Sequence, residues 1–233
     1  MTSRTLRTAS IAAALALVLV LAPAASAALI GIYRNGMEGK GQLGQIAKFS
    51  GDRCGRGSAA DAFLITIGKA TRECTYRTPV LGRDLEISAT ARLLGKTPKP
   101  VQRSAYLAVD LRAGSGARYQ LAVYPLQRKA QVRKILTDGS IEYLHVEKDL
   151  ATVKGTDQAN QLRLRAFNVT EGEEKGDCRI LAFVGGQTVA DVTDEGAGEL
   201  SGRASGFSLG SAKIAKGAQA TVDDVVVRAP SPF

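Results

Sequence analysis

Tryptophan is absent from this 233-residue chain, aromatic residues make up 5% of it, and histidine occurs once. Sugar-binding pockets rely on flat aromatic side chains with a few fixed polar groups, so the lack of tryptophan argues against a strong lectin for neutral glycans. A Ser-His-Asp site needs a histidine beside its nucleophile, and a zinc site needs closely spaced Cys or His ligands. His145 and three scattered cysteines supply neither arrangement.

Only one long apolar segment occurs, and it lies at the N-terminus. Residues 1–27 contain Arg4 and Arg7, an apolar run at 11–21, and a small-residue triplet that ends at Ala27. This order is typical of a cleaved signal peptide. The run is shorter than the ~20 residues that span a bilayer, so we expect a secreted or extracytoplasmic protein with no transmembrane segment after cleavage.

Cleavage after Ala27 leaves a chain of one-domain size. We expect 28–78 to form an N-terminal arm and the first strands, and 79–233 the rest of the same domain. The leader carries two basic and no acidic residues, so its removal lowers the net charge from +9 to +7. An acidic polysaccharide or a cell-wall polymer is a suitable partner for such a basic protein, and nucleic acid is not expected. Charge spread over solvated strand faces is the alternative.

The three cysteines would lie in an oxidising environment. Cys54 and Cys74 flank the strand-like segment 62–67, and we expect them to form a disulfide. Cys178 would then be unpaired and buried on a strand. A bridge from Cys178 to either of the others remains open, because spacing alone does not determine pairing.

Alternating apolar and polar residues predict short strands through most of the chain. Residues 85–93 alternate cleanly, and Asp138-Gly139 and Gly185-Gly186 mark two hairpins. The other predicted strands include 105–112, 119–124, 160–169, 205–209 and 220–227. With about a dozen strands and no amphipathic helix, the chain is predicted to be all-β, a two-sheet antiparallel sandwich.

Two strings match catalytic motifs without their structural context. The segment 39–44 matches G-x-G-x-x-G but runs into further glycines rather than a helix, so we expect a flexible loop. The segment 206–210 matches G-x-S-x-G, yet Phe207 and Leu209 alternate with Ser208 as in a strand, and no histidine follows. We therefore expect no catalytic residue at either string.

Acidic residues do not form a recognisable site either. Glycosidases need two carboxylates on opposite sides of a bond. Certain glucanases carry their acids on one strand as Glu-x-Asp-x-x-Glu, and the nearest string here, which begins Glu147-Lys148-Asp149, lacks the final acid. The acidic segment 171–177 is predicted to be a solvated loop. Calcium at Asp223-Asp224 or at Asp191 and Asp194 is a minor alternative, because no close-set oxygen loop is visible. No metal site and no cofactor are predicted.

Four segments resemble the concanavalin-A-like, or laminin-G-like, jelly-roll superfamily, which includes extracellular bacterial modules. They are 84–91, 105–112 followed by 118–123, 160–166 followed by 183–192, and 221–228. The resemblance implies a jelly-roll sandwich whose concave face or rim loops bind glycans. The turn at Gly185-Gly186 departs from the Asn-Gly of many relatives, and 28–78 is not covered. Since this fold carries lectins, hydrolases and adhesive modules alike, it does not by itself assign an activity.

The predicted function is that of an exported, non-enzymatic module that binds a glycan or cell-envelope polymer, with an anionic ligand preferred. Alternatives are a glycan-cleaving enzyme and a structural envelope protein. Alternation places Tyr106 outward and Tyr119 inward. The candidate ligand-binding residues are Tyr119, Tyr124, Tyr143, Arg128, Lys129, Arg133, Lys134, Arg163 and Arg165. The alternative for their basic side chains is a solvated face that charge protects from edge pairing.

Overall fold

A computed structural model describes residues 29–230, except for 38, 70, 171–175, 197–199, 201, 214 and 215. The predicted signal peptide and most of the acidic segment 171–177 lie outside the described residues. Strands dominate the described chain, with two short helices, α1 (Gly39–Gly44) and α2 (Lys99–Gln102). The described part contains no helix with the length and apolar character needed to span a membrane.

The strands are numbered in chain order. The first eight are β1 (Leu29–Asn35), β2 (Ala47–Ser50), β3 (Cys54–Ala59), β4 (Ala62–Ile67), β5 (Glu73–Leu81), β6 (Leu85–Leu93), β7 (Ala105–Gly114) and β8 (Ala117–Tyr124). The others are β9 (Lys129–Ile135), β10 (Ile141–Glu147), β11 (Asn160–Asn168), β12 (Cys178–Val184), β13 (Gln187–Asp194), β14 (Ala204–Ser211) and β15 (Gln219–Pro230).

Two antiparallel sheets form a jelly-roll sandwich, which confirms the predicted fold class. The eight-stranded sheet has the order β13-β12-β11-β6-β15-β4-β3, with β1 also paired to β15. The seven-stranded sheet has the order β10-β9-β8-β7-β14-β5-β2. Every strand pair in both sheets is antiparallel.

The core lies between the sheets and follows the alternation of the sequence. Leu107 and Val109 on β7, and Ile87 on β6, are buried in one apolar cluster. Burying a side chain of this size removes enough apolar surface to stabilise the fold by about 1.5–3 kcal/mol. The other face of each strand is therefore free to carry polar side chains.

The N-terminal segment is more regular than the sequence predicts. Where the sequence predicts an irregular arm at 28–57 with at most one edge strand, the structure has β1 paired with β15, β2 paired with β5 in the other sheet, and β3 paired with β4. The glycine-rich segment 39–44 is a short helix and not the predicted loop. Met37 before the helix and Ile46 after it are fully buried, so packing at both ends overrides the weak helix propensity of glycine.

The predicted hairpins are confirmed, with one difference in loop length. Strands β9 and β10 pair, but five residues (136–140) connect them rather than a two-residue Asp-Gly turn. Leu136 N–H donates to Ser140 O at 3.0 Å, and Gly139 has a φ of +83°, which glycine adopts without strain. Ser208 lies within β14 as predicted, in an extended strand rather than a nucleophile elbow.

The predicted disulfide between Cys54 and Cys74 is present, with a Cα–Cα distance of 5.7 Å. It joins β3 of the eight-stranded sheet to β5 of the seven-stranded sheet and so ties the two layers together. Cys178 is a free, buried thiol, as predicted. Burial raises the pKa of Cys178 to about 11, which leaves the thiol protonated and poorly nucleophilic.

Candidate functional site

Polar side chains cover the face of the seven-stranded sheet that is turned away from the other sheet. On β7, Leu107 and Val109 join the core, whereas Tyr106 and Ala108 belong to a separate cluster with Tyr124. We call this outer surface the polar face. Its residues are Glu73 on β5, Tyr106 and Asp110 on β7, Arg118, Gln120 and Tyr124 on β8, Lys129, Gln131 and Arg133 on β9, and Ser208 on β14.

Strand register brings the residues of the polar face together. Asp110 on β7 lies opposite Gln120 on β8, which lies opposite Arg133 on β9. On the neighbouring β14 the residue opposite Tyr106 is Gly210, where a Cβ atom would lie 2.3 Å from the tyrosine ring. Glycine at this position therefore makes room for the Tyr106 ring to lie flat along the sheet.

The contact between Glu73 and Gln120 shows that the sheet curves toward the polar face. In a flat sheet β5 and β8 would lie three strand spacings apart, roughly 14 Å. A glutamate and a glutamine side chain cannot together cover that distance. Glu73 Oε1 nevertheless accepts a hydrogen bond from Gln120 Nε2 at 2.7 Å. The polar face is therefore the concave side of the sheet, and its side chains converge.

Gln120 is the centre of the hydrogen-bond network. Its Nε2 donates to Glu73 and to Asp110 Oδ1, both at 2.7 Å, and its Oε1 accepts from Arg133 Nε at 2.7 Å. Arg118 bridges the same two carboxylates, through Nε to Asp110 at 3.1 Å and through Nη2 to Glu73. Each guanidinium and each carboxylate is thus held in one orientation.

Asp110 is the buried anchor of this network. Besides Arg118 and Gln120 it accepts a hydrogen bond from Ser208 Oγ at 2.5 Å, and the Ser208 and Thr75 hydroxyl oxygens lie 3.0 Å apart, within hydrogen-bond distance. Burial raises the pKa of Asp110 above its ordinary value, while the Arg118 guanidinium opposes the shift. Asp110 is fully buried, whereas Glu73 keeps 17% of its side-chain surface exposed. Glu73 is therefore the carboxylate at the surface of the face.

Two tyrosine rings and two cations lie beside this network. The rings of Tyr106 and Tyr124 are 5.3 Å apart, Arg133 lies 4.3 Å above Tyr106, and Lys129 lies 4.1 Å above Tyr124. Cations attract the faces of aromatic rings. Burial and the neighbouring charges of Lys148 and Arg133 lower the pKa of Lys129. In the described part of the chain no carboxylate pairs with Lys129, so its charge is uncompensated.

Gln131 has an acceptor without a donor. Its side chain is 8% exposed, and Oε1 is buried with no hydrogen-bond partner. By register Gln131 lies opposite Ala122 on β8, next to Tyr124 and Arg133 on the polar face. Unsatisfied buried acceptors are rare and costly in folded proteins. Gln131 Oε1 is therefore a polar atom of this face that no donor in the described chain satisfies.

Two predicted ligand-binding residues lie inside the sandwich instead. Tyr119 is fully buried between the sheets, where its hydroxyl donates to Asp194 Oδ2 at 2.5 Å. Lys134 is also buried, and its Nζ lies 3.2 Å from Asp194 Oδ2. Both side chains point into the core because they share the inward phase of their strands. Neither can contact a ligand at the surface, so the prediction is wrong for Tyr119 and Lys134.

The remaining predicted residues divide between two opposite surfaces. Tyr124, Lys129 and Arg133 are on the polar face. Tyr143 pairs with Arg133 at its margin and is 55% exposed, and Arg128 is exposed just before β9, with Nε donating to Leu150 O at 3.3 Å. Arg163 and Arg165 lie on β11 of the eight-stranded sheet. They cannot share one groove with Arg128, Lys129 and Arg133, because the sandwich separates the two surfaces.

Several residues of the polar face were not among the predicted site residues. They include Glu73, Asp110, Gln120 and Ser208, which lie on four separate strands, β5, β7, β8 and β14.

 Alternation does mark Tyr106, Asp110, Gln120 and Ser208 as outward residues of their strands, but only the pairing of β5, β14, β7 and β8 shows that they meet. Among the described residues no group of three or more His, Cys, Asp or Glu side chains could hold a metal ion.

No family model matches the chain, and no curated protein matches it in sequence. Its fold is similar to those of solved structures. Carbohydrate-binding module CBM66 from Bacillus subtilis has a TM-score of 0.57 and 12% identity, over 79% of this chain and 96% of that chain. A Bacillus subtilis protein of unknown function with a galectin-like fold has a TM-score of 0.58 and 10% identity, over 86% of this chain and 97% of that chain. Alginate lyase Aly36B has a TM-score of 0.52 and 11% identity, over 85% of this chain and 96% of that chain.

At these identities the similarity establishes the fold alone. The chain has a jelly-roll sandwich, in agreement with the jelly-roll fold that the sequence resemblance implies. The concanavalin-A-like assignment within that fold stays a prediction.

Proposed function

We propose that the protein is an exported, non-enzymatic module that binds an anionic glycan or cell-envelope polymer on its polar face. The observation that carries this proposal is the pair of unsatisfied groups beside the tyrosine rings. Lys129 is a cation without a carboxylate partner in the described chain, and Gln131 Oε1 is a buried acceptor without a donor. An acidic sugar supplies what both groups lack, an anion and a hydroxyl donor.

The rest of the face supports the same ligand. A carboxylate or sulfate group binds Lys129, a neighbouring hydroxyl donates to Gln131, and a sugar ring packs at Tyr124 and the exposed Tyr143. The network around Gln120 holds Arg133 and Glu73 in fixed orientations, so little conformational entropy is lost on binding. The similar folds of a carbohydrate-binding module and an alginate lyase are consistent with a glycan ligand.

Affinity electrophoresis through gels that contain polygalacturonate or dextran tests the proposal. We expect retardation in the acidic gel only, and weaker retardation as salt rises, because charge pairs are screened. Lys129→Gln should weaken binding about tenfold. Lys96→Gln removes the same charge from an exposed site away from the polar face and should leave binding unchanged. Equal effects of the two variants, or equal retardation in both gels, would contradict the proposal.

One observation favours a second function, glycan cleavage. Glu73 Oε1 and Asp110 Oδ1 both lie 2.7 Å from Gln120 Nε2, so these oxygens are at most about 5.4 Å apart, near the carboxylate spacing of retaining glycosidases. Binding ranks first because Asp110 is fully buried and both carboxylates are paired with Arg118. Release of reducing ends from a polysaccharide panel, abolished in Glu73→Gln, would support cleavage. No release and no retention together would favour a structural envelope protein.

A further inference from the structure

A depression of about 360 Å³ lies on the outer face of the eight-stranded sheet, across the sandwich from the polar face. One row of paired residues crosses it, and paired residues on neighbouring strands share a face. In order along the row are Arg34 on β1, Val226 on β15, Ser88 on β6, Arg163 on β11 and Phe183 on β12. We call these residues the arginine row.

The two guanidinium groups of the arginine row lack anionic partners. Arg34 is exposed, and Arg163 lies 3.8 Å above the Phe183 ring. In the described ranges neither one contacts a carboxylate, whereas the nearby Arg228 is paired with Glu86 at 2.8 Å. A guanidinium stacked on a ring keeps its N–H groups free at the edge, where they bind a carboxylate or sulfate in bidentate geometry.

The floor between the two arginines is small and polar. Strands β1 and β11 lie three spacings apart, roughly 14 Å at the backbone, with Ser88 between them. Thr90 and Gln161 line the same depression and offer hydroxyl and amide groups. A single small anion would reach one arginine only. A chain with anionic groups at intervals would reach both. The carboxylate of Asp224 also lines the depression and repels anionic groups from its own part of it.

We propose that the arginine row is a second binding site, separate from the polar face, for a segment of acidic polysaccharide laid across the strands. The two sites lie on opposite outer surfaces of the sandwich. One molecule then holds two polymer chains, or two parts of one chain, and gains avidity from the pair. The arginine row depends on its own residues, so this inference stands independently of the site on the polar face.

Isothermal titration with a short oligogalacturonate measures the number of sites. We expect the unmodified protein to bind two equivalents of oligogalacturonate. In Arg34→Gln/Arg163→Gln the affinity of the arginine row should be at least tenfold weaker than in the unmodified protein, so that only one equivalent is measured. Lys96→Gln/Lys213→Gln removes two charges from exposed positions and should keep two equivalents. Arg34→Gln alone, on the edge strand β1, should also weaken the second site, which guards against misfolding of the double variant.

The outcomes separate the two sites. If the unmodified protein and Arg34→Gln/Arg163→Gln both bind one equivalent with the same affinity, the proposed site at the arginine row is wrong. One equivalent that is lost in that variant but retained in Lys129→Gln supports the arginine row and contradicts the site on the polar face. No binding at all overturns both.

Discussion

Replacement of Gln131 by methionine should make the protein more stable and a weaker binder at the same time. Methionine has a similar length and flexibility, and it removes the buried Oε1 that has no hydrogen-bond donor. An unsatisfied buried acceptor costs about 1–3 kcal/mol. For a domain of this size, a gain of about 2 kcal/mol raises Tm by roughly 4–8 °C. The polysaccharide loses its acceptor, so retention in the acidic gel should fall several-fold.

Calorimetry and affinity electrophoresis on the same preparation measure both effects. Gln120→Met is the matched control, since Gln120 bonds at both ends. It leaves Glu73, Asp110 and Arg133 short of partners and should destabilise the protein by about 3 kcal/mol. A Gln131→Met variant with lower or unchanged Tm would refute the claim that Oε1 is unsatisfied. Higher Tm with unchanged retention would refute the claim that a ligand uses it.

Three further predictions concern residues outside the polar face. Cys54→Ala/Cys74→Ala opens a loop with a sequence separation of 20 and should lower the free energy of unfolding by about 3 kcal/mol in urea; no change would contradict the layer-tying role. Burial raises the pKa of Cys178 to about 11, so Ellman's reagent at pH 8 should label it only after denaturation, and rapid native labelling would count against its burial. Asp194→Asn removes the carboxylate that lies 3.2 Å from the buried Lys134 ammonium and should cost about 3 kcal/mol with glycan retention unchanged; lost retention at full stability would instead make Lys134 a ligand-binding residue.

The sequence predicts the fold well because strand alternation is a local signal. Residues 85–93 form β6 with the predicted bounds, and the outward Tyr106 and inward Tyr119 are placed correctly by period two. The same period explains the two wrong site residues. Lys134 shares the phase of the buried Ala130 and Val132, so its inward position was visible in the pattern.

The polar face could not be assembled from sequence because its contacts depend on strand order and sheet curvature. Glu73 and Gln120 are on strands β5 and β8, which β14 and β7 separate in the sheet. Strand β14 comes from near the end of the chain, so no local sequence pattern predicts that Glu73 and Gln120 meet. The helix at 39–44 was also missed, since buried residues at its ends outweigh a glycine-rich sequence that favours a loop.

The side-chain amide signal of Gln131 in a ¹⁵N NMR titration with oligogalacturonate tests the polar face most directly. The account predicts that this signal and the backbone signals of Tyr124 and Lys129 shift in a saturable, salt-sensitive manner. Shifts confined to Arg163 and Phe183 on the opposite sheet, or no shifts at all, would contradict the assignment of glycan binding to the polar face.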